Sequence, residues 1–187
     1  MKFDCARVEW LVLDFDGVLT DNHVYTFQDG SEAVRSYRGD GLALERLKRS
    51  GVQLYILSGE EGSVVGERAK KLGIPWSVFL LVAAVGARND WDLHGVSLPE
   101  RHLREEEIVA LAGEGVGIGS HGMNHLDGTR LGDDALAEEL TASRAWLERT
   151  TGCRVDAFSY PWGRVDVRVA KAARAAGYRL GFALRGG

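Results

Sequence analysis

Short apolar runs alternate with amphipathic segments along almost the whole chain. The runs have the length and β-branched content of buried strands, and the segments between them repeat apolar residues every three to four positions, as helices do. Strands are predicted at 10–13, 52–57, 76–84, 116–120, 157–160 and 180–183, and helices at 42–49, 63–72, 105–112, 134–149 and 167–176. A hairpin is predicted from 24–27 and 33–37, with Asp29-Gly30 at its turn. This alternation is typical of an α/β fold, a mostly parallel sheet with flanking helices.

Composition and charge narrow the function classes. The 187 residues include 45% hydrophobic and 27% charged residues, the composition of a globular protein. The formal net charge of -4 gives no electrostatic basis for binding nucleic acid or an anionic membrane. The longest apolar run, 78–85, is far shorter than the ~20 residues that cross a bilayer, and the N-terminus lacks a signal-peptide pattern. We therefore expect a cytoplasmic protein in which Cys5 and Cys153 are reduced and unpaired.

Two carboxylates follow the first predicted strand. Asp14 and Asp16 are two positions apart, so on an extended chain their side chains point the same way and converge at the strand end. Such a pair can hold a divalent cation, or one carboxylate can act as the nucleophile while the other transfers protons. A structural pair that caps a turn explains the two acids equally well. Ser58 and Gly59 follow the 52–57 strand and offer a hydroxyl and backbone amides to a phosphate oxygen.

The segment around this acidic pair resembles the haloacid dehalogenase (HAD) phosphatases. The resemblance covers residues 8–74 and rests on DFDGVLTD (14–21), RGDGL (38–42), LSGE (57–60) and RAKKLGI (68–74). It is similar to the branch of 3-deoxy-octulosonate 8-phosphate phosphatases and the phosphatase-like part of acylneuraminate cytidylyltransferases. The resemblance implies Asp14 as the phosphoryl-accepting nucleophile, Asp16 as general acid/base, Mg²⁺ between them, and Ser58 on the phosphate. Ala87 and Arg88 stand where that family completes its Mg²⁺ site with acids.

A second set of candidate residues follows the predicted strand 116–120. His121 and His125 are four apart, which on a helical turn brings two imidazoles within reach of one metal ion; a purely structural pair is the less favoured alternative. The segment SYPWGR (159–164) ends the next strand in an aromatic turn fixed by proline. A packed Trp162 and a binding-site role explain that turn equally well.

Both segments, in this order, resemble the polysaccharide deacetylases of carbohydrate esterase family 4. The resemblance covers residues 74–184 and extends over PWSVFL (75–80), GIGSH (117–121) and AAGYRL (175–180). It implies His121 and His125 as metal ligands and an acetyl pocket lined by Pro161, Trp162 and Gly163. The Trp162 backbone N–H is then the donor to the tetrahedral oxyanion.

The second segment also departs from that family at several points. Gly122 stands where the family has Ser or Thr, and Ser159 stands where it has Arg. The family's opening Thr-Phe-Asp-Asp-Gly segment, which supplies the base and the third ligand, is absent immediately upstream. We therefore leave open which residues complete the site.

Together the resemblances divide the chain into a HAD phosphatase-like half-domain, 1–74, and a deacetylase-like segment, 75–187. We expect a metal-dependent carbohydrate hydrolase of the deacetylase type that acts on an N-acetylated sugar. Two alternatives stay open, a Mg²⁺-dependent sugar-phosphate phosphatase of the 3-deoxy-octulosonate 8-phosphate or acylneuraminate 9-phosphate type, and an inactive metal-binding module. The sequence decides neither the sugar, nor whether the chain forms a homo-oligomer, nor whether the hybrid is a natural fusion, a truncated product or a recombined sequence.

The metal expected at each site follows from its ligands. Imidazole suits Zn²⁺ or Co²⁺ at the histidine pair, and carboxylates suit Mg²⁺ at the acidic pair. A further hypothesis brings Asp14 or Asp16 beside His121 and His125, one as third ligand and the other as general base, because parallel sheets assemble their sites at one edge. The additional strand and helix at 52–73 argue against it, since they separate the two strand ends.

Overall fold

The computed structural model describes residues 8–29, 31–58, 63–88 and 101–184. Its strands are β1 (Trp10–Asp14), β2 (Val24–Thr26), β3 (Glu32–Val34), β4 (Gln53–Ser58), β5 (Trp76–Leu80), β6 (Gly117–Ser120), β7 (Ala157–Ser159) and β8 (Leu180–Phe182). Its α-helices are α1 (Arg38–Arg49), α2 (Ser63–Leu72), α3 (Glu105–Gly113), α4 (Asp133–Thr151) and α5 (Val167–Ala175). The chain divides into two compact units, Met1–Val78 and Phe79–Gly187, and β5 contains the boundary.

The first unit contains a parallel sheet in which β4 lies between β1 and β5. Ile56 of β4 is fully buried, as are Val65 and Ala69, which are four apart and therefore share one face of α2. The C-terminus of α2 is closed by Lys48, whose Nζ donates to the carbonyls of Leu72 at 2.5 Å and Gly73 at 2.9 Å. An ammonium group at this end is favourable because unpaired carbonyls carry partial negative charge there.

The predicted hairpin is confirmed in the same unit. β2 and β3 pair antiparallel, with Val24 opposite Val34 and Thr26 opposite Glu32. The Phe27 N–H donates to the Ser31 carbonyl at 2.9 Å and closes the turn. Gly30, the predicted turn glycine, lies outside the described residues.

The second unit is built on the parallel strands β6, β7 and β8, which are neighbours in that order. α4 covers them with an apolar stripe in which Leu136, Leu140 and Leu147 are buried. Acidic residues in its first turn favour the helix N-terminus, and the helix ends at Gly152, whose φ of 67° few other residues adopt. Parallel strands with flanking helices in both units confirm the predicted α/β class.

Two predicted boundaries are wrong by four residues each. The strand predicted at 76–84 ends at Leu80, and Val82–Ala84 forms a 3-10 helix because the N–H groups of Val82 and Ala83 donate to the carbonyls of Gly122 and Met123. The helix predicted from residue 42 begins four residues earlier, at Arg38, since two glycines in a first turn do not prevent helix formation.

Two further features bear on the expectations from composition. No helix in the described part of the chain is long and apolar enough to cross a membrane. Cys153 is a free, exposed thiol, whereas Cys5 lies outside the described residues.

Candidate functional site

The end of β6 fixes the start of a loop that carries both candidate histidines. Ser120 is fully buried, and its hydroxyl donates to the Ser143 hydroxyl at 3.1 Å and accepts from the Gly122 N–H at 3.1 Å. The His121 N–H donates to the Leu80 carbonyl at 2.8 Å. The backbone around His121 is therefore held both by the neighbouring strand and by α4.

His121 and His125 meet across this loop. Their Nε2 atoms are 3.2 Å apart, and their ring centroids are 4.9 Å apart. The helical turn predicted for the pair is wrong, because Gly122 has a φ of 89° and His125 a φ of 58°, both in the left-handed region. These two residues turn the chain back on itself, and the imidazoles approach each other without a helix.

Burial and one backbone contact define the state of His121. Its Nδ1 lies 2.9 Å from the Ser159 carbonyl, which can only accept, so Nδ1 carries the proton and Nε2 presents its lone pair. Burial lowers the pKa of His121 below its ordinary value; the hydrogen bond to Ser159 opposes this and the neighbouring His125 adds to it. A neutral imidazole with an unprotonated Nε2 is the form that binds metal ions.

The spacing of the histidine pair fits two ligands of one metal ion. Two nitrogens bound to a tetrahedral Zn²⁺ at ~2.0–2.1 Å lie about 3.3 Å apart, close to the spacing seen here. Within residues 8–29, 31–58, 63–88 and 101–184, no group of three or more His, Cys, Asp or Glu side chains is placed to hold a metal ion. The pair thus fits as part of a ligand set, and the identity of a third ligand stays a prediction.

The turn after β7 brings an indole against the histidine pair. Pro161–Gly163 forms a 3-10 helix in which Pro161 is buried and Trp162 is 62% exposed. The Trp162 ring lies 4.9 Å from the His125 ring, centroid to centroid. Trp162 has a φ of 61°, and its N–H donates no hydrogen bond to any residue that the structure describes. A non-glycine residue held at positive φ stores strain, and such residues cluster at functional sites.

An ion pair joins the two loops that carry His125 and Trp162. Arg164 donates to Asp127 at 2.8 Å, and the side chain of Asp127 is only 9% exposed. The Thr129 hydroxyl and the Arg164 guanidinium lower the pKa of Asp127 to about 2, so this carboxylate is charged at every physiological pH. The sequence analysis missed this contact, because the two residues are separated by a helix and a strand.

Glu139 of α4 is a second residue that the sequence analysis missed. It is 6% exposed and accepts hydrogen bonds from Asn124, inside the histidine loop. A signal was present in the sequence, since Glu139 lies beside Leu140 and three residues after Leu136, on the apolar side of the helix. An acid on a buried helix face is unusual unless it has a partner.

The acidic pair lies in the first unit. Asp14 ends β1 and accepts from the Phe15 N–H at 2.8 Å. Burial, and then the neighbouring Asp14 carboxylate, raise the pKa of Asp16 above its ordinary value. Ser58 ends the adjacent parallel strand β4 and is 2% exposed, so it lies at the same sheet edge as Asp14. Gly59 lies outside the described residues.

Known proteins of both families named above are similar to parts of this chain. A stretch of the chain is 27% identical over 112 residues to the deacetylase-family protein YxkH of Bacillus subtilis, which covers 60% of this chain and 36% of YxkH. Another is 34% identical over 75 residues to the 3-deoxy-D-manno-octulosonate 8-phosphate phosphatase KdsC of Haemophilus influenzae, covering 40% of this chain and 41% of KdsC. The chain thus spans about two fifths of the length of these relatives.

Structural similarity supports the deacetylase fold. The Streptococcus pyogenes deacetylase PplD, solved in complex with acetate, superposes with a TM-score of 0.65 at 16% identity, over 96% of this chain and 84% of PplD. The family model for polysaccharide deacetylases matches residues 68–181, which is more than half of the 187 residues and includes His121, His125 and Trp162. The chain therefore belongs to the polysaccharide deacetylase family.

Proposed function

We propose that the chain is a metal-dependent deacetylase that hydrolyses the N-acetyl group of a sugar within a polysaccharide. The observation that carries this proposal is the 3.2 Å approach of the His121 and His125 Nε2 atoms. Because the Ser159 carbonyl fixes the tautomer of His121, the pair presents ligating nitrogens in the arrangement that Zn²⁺ or Co²⁺ accepts. Membership of the polysaccharide deacetylase family supports the removal of acetyl groups as the reaction at this pair.

The residues around the pair have separate roles in this proposal. His121 and His125 hold the divalent ion, which when bound supplies Lewis-acid activation for amide hydrolysis. The Trp162 N–H, without an acceptor among the described residues, donates to the oxygen that becomes negatively charged when the acetyl carbon is attacked. The buried Pro161 and Gly163, whose backbone is in the left-handed conformation, fix the turn that carries this N–H.

Metal analysis and acetate release test the proposal together. We expect the purified protein to bind one Zn²⁺ or Co²⁺ and to release acetate from N-acetylglucosamine oligosaccharides. His125→Ala should lose both properties, and His23→Ala, which removes an exposed histidine of the first unit, should lose neither. Equal metal content in the wild type and His125→Ala would overturn the proposal.

The hypothesis that Asp14 or Asp16 supplies a third ligand stays a prediction and is tested in the same assay. If either carboxylate joins the histidine pair, Asp14→Asn or Asp16→Asn weakens Zn²⁺ binding, because a carboxylate ligand is removed. Unchanged Zn²⁺ affinity in both variants would exclude this hypothesis and leave the histidine pair as proposed.

A second candidate function is a Mg²⁺-dependent sugar-phosphate phosphatase. It is favoured by the placement of Asp14 and Ser58 at the ends of the paired parallel strands β1 and β4, which puts a candidate nucleophile and a hydroxyl for a phosphate oxygen at one sheet edge. Hydrolysis of p-nitrophenyl phosphate with Mg²⁺ that is lost in Asp14→Asn would support this function. Its absence, together with acetate release, would leave the deacetylase as the activity of the chain.

A further inference from the structure

Glu139 holds the histidine loop from the side of α4. Glu139 is only 6% exposed, and both of its carboxylate oxygens accept hydrogen bonds from a single residue. Oε1 accepts from the Asn124 N–H at 2.7 Å, and Oε2 accepts from the Asn124 Nδ2 at 2.9 Å. Asn124 is the residue immediately before His125, so the carboxylate fixes both the backbone and the side chain next to that histidine.

The same carboxylate fills the space beside Gly122. A Cβ on Gly122 would lie 2.9 Å from Glu139 Oε1, closer than side chains approach, and 3.8 Å from Pro161. The resemblance drawn from the sequence has Ser or Thr at this position. In this chain, a carboxylate from α4 occupies the room that such a side chain would need.

The opposite side of the loop is held by the backbone. The N–H groups of Val82 and Ala83 donate to the carbonyls of Gly122 and Met123 at 3.2 Å and 2.8 Å. The loop is therefore clamped between a 3-10 helix and the Glu139 carboxylate. Of these two clamps, only Glu139 contacts the residue that precedes His125, whose φ of 58° is strained for a residue with a side chain.

We propose that Glu139 is a positioning residue for the histidine pair, and that it sets the spacing of the two Nε2 atoms by fixing Asn124. This inference rests on the proposed function, in which the pair holds a divalent ion. Glu139 itself binds no metal; it acts through the loop. Outer residues that orient metal ligands typically account for about a 10- to 100-fold change in metal affinity.

The test is Zn²⁺ affinity of the full chain, measured by competition with a chromophoric chelator. Glu139→Ala removes both acceptors and should weaken Zn²⁺ binding by about 10- to 100-fold. Glu139→Gln should bind nearly as tightly as the wild type, because its amide oxygen accepts from the Asn124 N–H and its amide nitrogen can pair with a turned Asn124 side chain. Asn124→Ala, which leaves the backbone contact, should give an intermediate loss.

A matched control and a spectroscopic measurement separate positioning from a general loss of structure. Glu138→Ala removes an exposed acid one position earlier on α4 and should leave Zn²⁺ affinity unchanged. The visible absorption bands of bound Co²⁺ should shift in Glu139→Ala and return in Glu139→Gln, because these bands report the geometry of the ligands. Circular dichroism and thermal unfolding establish that each variant is folded.

The possible outcomes distinguish this inference from the proposed function. If the wild type binds no metal, or if His125→Ala binds as well as the wild type, the proposed function fails and Glu139 has no ion to act on. If the wild type binds Zn²⁺ through the pair and folded Glu139→Ala binds with the same affinity and Co²⁺ spectrum, the positioning role is wrong and the proposed function stands. A loss equal in Glu139→Gln and Glu139→Ala would also overturn it, since charge and not hydrogen bonding would then be responsible.

Discussion

Replacing Gly122 by alanine tests how tightly the histidine loop is packed. Gly122 has a φ of 89°, and an added Cβ would lie 2.9 Å from Glu139 Oε1. A left-handed conformation costs an ordinary residue roughly 1–2 kcal/mol. Because two hydrogen bonds from Asn124 hold the Glu139 carboxylate in place, the added methyl group also overpacks a filled site, which costs roughly 1–3 kcal/mol. We therefore expect Gly122→Ala to lower the free energy of unfolding of the second unit by about 2–5 kcal/mol.

Two other glycines of the second unit separate these contributions. Gly152 has a φ of 67° with nothing within 4 Å of an added Cβ, so Gly152→Ala should show only the conformational cost, about 1–2 kcal/mol. Gly113 is helical and also open, so Gly113→Ala should be neutral or stabilising. Removing the carboxylate in Gly122→Ala/Glu139→Ala should recover the packing part of the loss, which a double-mutant cycle measures.

Native-state hydrogen exchange of the α4 amides is the appropriate assay. It reports the opening free energy of this helix separately from the first unit, which a global unfolding curve would not do. A loss of stability in Gly122→Ala that is no larger than the loss in Gly152→Ala would show that the added methyl group does not overpack the loop. In that case the loop moves away from Glu139 at no cost, and the carboxylate does not clamp it.

Three further predictions concern the core and the charged groups. Leu147→Ala should lower the stability of the second unit by about 2–5 kcal/mol in the same exchange assay, because Leu147 is fully buried. A loss below about 1 kcal/mol would mean that neighbouring side chains refill the cavity. Asp127→Asn should be less stable than the wild type at neutral pH. Because the pKa of Asp127 is lowered to about 2, this difference in stability should shrink as the pH falls from about 4 towards 2. Thermal melts that show the same difference at every pH would contradict this prediction. Asp14→Asn should lower the pKa of Asp16 in a carboxyl ¹³C NMR titration, whereas an unchanged pKa would assign the rise to burial alone.

The sequence predicts elements well where periodicity and end signals agree. The helix predicted at 63–72 has those bounds in the structure, because Val65, Ala69 and Leu72 mark one face and Gly73 ends it. The end of β5 is not predictable in the same way. Residues 78–85 are apolar throughout, so nothing local marks Leu80 as the last strand residue, and the 3-10 helix that follows depends on carbonyls forty residues away.

The candidate site shows the same division between local and distant information. The approach of His121 and His125 was predicted from their spacing, but the helical turn offered as its cause was wrong, because the left-handed φ of a histidine is not encoded in a local pattern. The contacts of Glu139 with Asn124 and of Arg164 with Asp127 join different elements. They depend on how helices pack against strands, which residue spacing does not specify.

The left-handed conformations of His125 and Trp162 have a consequence for attempts to stabilise this protein. Glycine or asparagine adopts this conformation at lower cost than either residue, so selection for heat resistance alone should favour them at positions 125 and 162. Such variants would gain stability and lose an imidazole or the indole beside it. Stability and chemistry are thus opposed at these two positions, and an engineering library should hold both constant while it varies the rest of the fold.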